Sequence, residues 1–153
     1  MKERAIDLIS LYVAFARALY SINQSHHWRC KGTNFYGNHL LFQRLYKDNQ
    51  EWADMAAERT LGLFGELRSQ FEAIDEIART FSNPEEEGGE LIESSLQACK
   101  AFGALSNELY REFKEMNVMT LGLDDMIMSI ASQLETHIYL LESAKKDTSV
   151  RIM

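Results

Sequence analysis

The sequence predicts an all-α fold: a bundle of four long helices, with a short helix in the crossover between the second and third. Three observations predict it. One proline and eight glycines among 153 residues leave little to interrupt a helix. Apolar side chains recur every three or four positions through four long stretches, which is the helical period and not the strand period. The breaks between those stretches coincide with glycine, asparagine and proline clusters.

The first helix is predicted over 3–31. Ile6, Ile9, Val13, Ala16 and Tyr20 form a stripe that continues to His27 and Cys30, and Leu8, Tyr12, Phe15, Leu19 and Ile22 form a second. One stripe suffices for a monomeric bundle, so two imply a helix covered on both sides, as in an oligomer. Lys31-Gly32 supplies a cationic last turn and a stop. The loop Thr33-Asn34-Phe35-Tyr36 leads into a second helix over 37–66, ending near Gly62 or Gly65. A shorter amphipathic helix lies within 67–81, marked by Phe71, Ile74, Ile77, Ala78 and Phe81. Ser82-Asn83-Pro84 and the acidic run Glu85–Glu87 form a solvated turn before Gly88-Gly89. The third long helix, about 89–116, presents Leu91, Leu96, Phe102, Leu109 and Phe113. The fourth, about 121–145, presents Leu123, Ile127, Ile130, Leu134 and Leu141. No repeat or low-complexity linker divides the chain, so residues 1–153 read as one domain.

Apolar residues are 46% and charged residues 25%, ordinary for a globular protein. The 23 acids against 16 bases leave a charge of −7, the wrong sign for holding nucleic acid through its phosphates. Cys30 and Cys99 are too few for a disulfide framework and fit reduced thiols. The amino terminus carries no secretory apolar segment, and no run of 18 apolar residues suggests a membrane span, so a cytoplasmic protein is expected.

A di-iron centre inside a bundle uses Glu-x-x-His pairs on facing helices. Three positions before the four histidines stand Asn23, Gln24, Tyr36 and Leu134, so that motif is absent. What remains is His27 and His39, followed by Asp54 and Glu58. The two carboxylates lie one turn apart on one helical face. At about 1.5 Å per residue, the 15 positions from His39 to Asp54 span roughly 22 Å of the same helix. Ligand bonds of about 2 Å cannot bridge that gap. The histidines and the carboxylates can share an ion only across two copies of the chain. An isologous pairing of antiparallel second helices does this, with its axis near Asp48 and Asn49.

His27-Trp28, Gly32, Phe35 and His39, followed by Asp54-Met55-Ala56-Ala57-Glu58-Arg59, resemble without a gap the signature of the Dps family, the mini-ferritins or DNA-protection-during-starvation proteins. The motif covers about 33 residues, and the helix order fits along the whole chain. The resemblance implies a ferritin-like four-helix bundle with the short helix in its long crossover, and a homododecameric cage. It implies ferrous iron bound between two-fold-related subunits, oxidised preferentially with hydrogen peroxide and stored as ferric mineral. His27 and His39 would then be ligands from one subunit, and Asp54 and Glu58 from its partner. Imidazole with carboxylate suits iron, and zinc or manganese also fit such a set.

Two departures from the family pattern bear on function. Four residues after the second histidine the family usually has aspartate, and here stands Gln43. The lost charge predicts a strong first iron position, a weak second one and slowed oxidation; at the extreme it leaves a structural cage with little or no ferroxidase activity. DNA-binding members often carry a mobile lysine-rich tail, whereas here helical periodicity begins almost at Met1 and the segment Lys145–Met153 is short. Twelve copies would total roughly −84, so tight DNA binding near neutral pH is not expected.

Other residues have plainer readings. Asp124 and Asp125 open the last helix, where acids complement the dipole; related cages have acidic three-fold pores nearby, although the family's usual acids slightly earlier are here Thr120, Leu121 and Gly122. His26 points about 100° from His27, which allows at most an outer partner role. His137 reads as an ordinary helix residue. Cys30 reads as core packing before soft-metal binding. Trp28 is either a shield for the centre or aromatic packing, and Trp52 is core. Met116, Met119, Met126 and Met128 suggest flexible packing at a subunit contact.

Overall fold

The structure is a computed structural model, and it describes residues 2–150. Its elements are α1 (Lys2–Arg29), α2 (Phe35–Phe64), α3 (Phe71–Phe81), α4 (Gly89–Glu115) and α5 (Leu121–Val150). No strand occurs among the described residues. Four long helices form the expected bundle, and α3 lies in the crossover between α2 and α4.

The chain's few special backbone positions set the helix ends. Gly32 (φ 85°) and Asn34 (φ 63°) make the sharp turn between α1 and α2. Gly65 (φ 77°) closes α2, its N–H donating to the Leu61 carbonyl at 2.9 Å. Asn117 (φ 58°) ends α4 in a Schellman arrangement: Val118 N–H reaches the Phe113 carbonyl at 3.0 Å, and Asn117 N–H reaches that of Lys114 at 3.1 Å. Thr120 then caps α5, its Oγ1 accepting from Leu123 N–H at 3.1 Å.

Two expectations need correction. The two apolar stripes of α1 are both buried within one protomer, because α2, α3 and α4 wrap this helix from different sides. The second stripe therefore needs no neighbouring subunit. The helix in the crossover, Phe71–Phe81, falls within the expected 67–81. It has no fully buried residue, and Phe71 is 74% exposed, with Arg17 Cζ 5.6 Å from its ring centroid. The last helix continues past 145 to Val150; the final residues 151–153 of the carboxyl segment, like Met1, lie outside the described residues. By length and composition α1 is apolar enough to cross a membrane, yet 72% of its apolar 18-residue window is buried in the bundle, as a core helix would be.

The core centres on Trp52, Tyr12, Phe42, Phe102 and Phe113, all nearly inaccessible. Phe102 stacks on Tyr12 at 4.9 Å and on Trp52 at 5.9 Å, linking α1, α2 and α4. A polar chain crosses the same interior. Asn23 Nδ2 donates to Asn49 Oδ1 at 2.8 Å, Ser95 Oγ donates to Asn23 Oδ1 at 2.7 Å, and His26 Nδ1 lies 2.8 Å from Ser95 Oγ. Ser95 has given its only proton to Asn23, so His26 Nδ1–H is the donor and its Nε2 is an acceptor facing Ser82 Oγ at 3.5 Å. Burial pushes the His26 pKa down to about 4, with Arg29 adding to the effect, and so favours the neutral ring. His26 thus belongs to the core and is no partner of His27.

Candidate metal centre

His27 and His39 meet across the α1–α2 turn. Their rings stack with centroids 3.7 Å apart and planes 18° off parallel. Each imidazole is held by the other's backbone: His27 Nδ1 lies 2.7 Å from the His39 carbonyl oxygen, and His39 Nδ1 lies 2.8 Å from that of His27. A carbonyl only accepts, so both Nδ1 atoms carry a proton, and in the neutral rings each Nε2 keeps a lone pair. That is the tautomer a metal ligand needs, fixed by a backbone hydrogen bond on the opposite nitrogen. Aromatic rings flank the pair. Phe35 stacks on His39 at 4.9 Å, and Tyr46 meets His27 edge-on at 5.2 Å. From the sequence Tyr46, like the other tyrosines, reads as core or interface; its spacing of seven from His39 places it on the same face of α2.

The carboxylates stand elsewhere. Asp54 and Glu58 are exposed on the outer face of α2 and line an open groove with Glu51, Met55 and Arg59. Neither forms a hydrogen bond or ion pair among the described residues. Arg59 lies against the start of α5, where a Cβ on Gly122 would meet its Nη1 at 2.5 Å. Only glycine leaves the guanidinium that place beside the groove. His39, Asp54 and Glu58 lie on the one unbroken helix α2, and no group of three or more His, Cys, Asp or Glu that could hold a metal ion forms among the described residues. The protomer brings the two histidines together and leaves the two carboxylates apart from them.

Gln43 is half-buried one turn along α2 from His39. Asp124 is half-buried, with Tyr110 Oη donating to its Oδ2 at 3.4 Å, and Asp125 is exposed. Cys30 is in the core, its thiol pKa raised by burial. Trp28 is 69% exposed and does not pack in the protomer's interior. Met126 is buried and Met128 is exposed. His137 departs furthest from its expected plain role: it is 1% exposed, stacked on Trp52 and bonded to Asp48. Its helical position could not announce a partner 89 residues away.

Residues 6–147 match the ferritin family, described as a ferritin-like domain. General stress protein 20U of Bacillus subtilis is 29% identical over 147 residues, covering 94% of this chain and 98% of that protein. DNA protection during starvation protein 2 of Bacillus anthracis is 26% identical over 145 residues, covering 94% and 97%. Among solved structures, Dps from Thermosynechococcus elongatus superposes with a TM-score of 0.82 at 21% identity, over 93% of this chain and 90% of that one. A Dps protein from Bacillus brevis gives 0.80 at 24% identity, over 93% and 95%. At those identities the structures speak for the fold, and the family match and the relatives speak for descent: the chain belongs to the ferritin-like family, as a member of its Dps, or mini-ferritin, branch.

Proposed function

We propose that the protein binds ferrous iron between subunits, oxidises it with hydrogen peroxide and stores the ferric product inside a homododecameric cage. The observation that carries this reading is the histidine pair. Two imidazoles held with Nδ1–H on a backbone carbonyl form no metal-holding group with a carboxylate among the described residues, while Asp54 and Glu58 stand on the same helix roughly 22 Å from His39. Antiparallel pairing of α2 about an axis near Asp48 and Asn49 supplies each half with the other. The charge pattern on the exposed face of α2 agrees: that axis sets Lys47 opposite Glu51 of the partner subunit, and the reverse. Exposed Leu40 and Met55 on α2 offer apolar area to the same contact.

In this reading iron is the substrate. Two ferrous ions give two electrons to one peroxide, which with two protons leaves as two waters. Imidazole nitrogen and carboxylate oxygen together suit ferrous and ferric iron. The backbone bonds on both Nδ1 atoms keep the rings from turning away, and loss of such support typically costs 10–100-fold in metal affinity or activity. Tight DNA binding forms no part of the reading, given the charge of −7.

Gln43 favours a second reading, a structural cage with weakened oxidation. The test is ferrous iron added under anoxia, then peroxide. The proposed function predicts rapid formation of soluble ferric mineral, lost in Asp54→Asn/Glu58→Gln. Precipitation at the uncatalysed rate by the unaltered protein would favour the structural cage.

A further inference from the structure

Two side chains one turn apart on α5 grip two side chains one turn apart on α2. Gln133 Oε1 accepts from Trp52 Nε1–H at 2.8 Å, and His137 Nε2 lies 2.8 Å from Asp48 Oδ2. The His137 ring also stacks on the Trp52 indole, 4.9 Å between centroids and 21° between planes. Elsewhere α5 rests mainly on α4, and this clasp ties it to the middle of α2.

The clasp is built for a neutral imidazole. Nε2–H donates to the carboxylate, which in the neutral ring leaves Nδ1 without a proton, and Nδ1 is buried with no hydrogen-bond partner among the described residues. A second proton would turn Nδ1 into a buried donor without an acceptor, on a side chain 1% exposed. We propose that this clasp is a proton-sensitive latch, and that protonation of His137 releases α5 from the middle of α2. The latch needs no metal and stands apart from the iron reading.

The charged surroundings agree. Burial is the largest influence on His137 and holds its pKa below the ordinary 6.5; the hydrogen bond and charge of Asp48 act the other way, and Arg44 on α2 reinforces the depression. On the α4 side Lys100 pairs with Glu142 at 3.5 Å and Glu93 with Lys145 at 2.8 Å, and Lys114 interacts with the charge of Asp124. The folded-state pKa lies below the unfolded one. The stability contributed by neutral His137 is therefore fully present above about 6.5 and is lost as pH falls toward the folded value.

Hydrogen exchange of the intact assembly, followed by mass spectrometry near pH 7 and near pH 5 and scaled for the chemical exchange rate, tests the latch. The α5 segment around Gln133 and His137 should lose protection in acid, by up to about tenfold per pH unit below 6.5, with α1 less affected. In His137→Gln, whose amide nitrogen keeps a donor for Asp48 without titrating, that loss should vanish. Equal loss in the variant would overturn the proposal, and so would full protection of unaltered α5 in acid, which decides the matter even if the variant does not fold.

Discussion

The two halves of the candidate centre are built in opposite ways. His27 and His39 are finished by the folding of one protomer: two helices, a tight turn and reciprocal backbone bonds leave them one arrangement. Asp54 and Glu58 are finished by nothing in the protomer. They lie exposed, unpaired among the described residues and on the far end of the same helix. Ligands with one lone pair, such as neutral imidazoles, need their orientation fixed in advance, whereas carboxylates with two oxygens can adapt when an ion and a neighbour arrive. The difference suggests that folding prepares one half-site and assembly completes it.

The sharpest way to break that comparison is to delete each half separately. Asp54→Asn/Glu58→Gln and His27→Ala/His39→Ala should each reduce peroxide-driven iron oxidation to the uncatalysed rate. In urea unfolding they should part company. The carboxylate variant should lie within about 0.5 kcal/mol of the unaltered protein, as exposed substitutions usually do. The histidine variant should lose about 1–3 kcal/mol through its broken bonds and ring packing.

A second prediction contrasts these outer residues with the polar chain inside the bundle. Asn23→Ala removes the member that bonds both Asn49 and Ser95, in a fully buried place. It should destabilise the fold by about 2–3 kcal/mol in the same unfolding assay, from unsatisfied buried groups. Oxidation per folded molecule should be unaltered. The smallest expected effect is at Gln43. Gln43→Asp adds a negative charge one turn from His39, and should raise iron stoichiometry or oxidation rate a few-fold. No change in either would remove the reason for thinking the second iron position weak.

The fold was largely legible because helical periodicity and glycine or asparagine stops are local signals. Gly65 and Gly32 mark ends where the chain must turn left-handed, and the structure uses both that way. The second stripe of α1 misled for a physical reason: periodicity reports which faces are covered, and cannot report whether the cover comes from the same chain. The histidine pair and the carboxylate pair were visible as spacings on helices. Their hydrogen-bond state was not, since the bond from Nδ1 to a carbonyl twelve residues away depends on how α1 meets α2. Nor were the ties of His137 to Asp48 and of His26 to Ser95, which join residues 89 and 69 apart. Such polar pairs are chosen by packing and carry no periodic signature.

Subunit complementation tests the central claim most directly. Copies lacking both histidines and copies lacking both carboxylates, each inactive alone, are unfolded together and reassembled in equal amounts. If every centre draws imidazoles from one chain and carboxylates from its two-fold partner, mixed pairs hold one intact centre, and iron oxidation should return to about a quarter of the unaltered level. Mixed assemblies that form normally and stay at the uncatalysed rate would contradict the account.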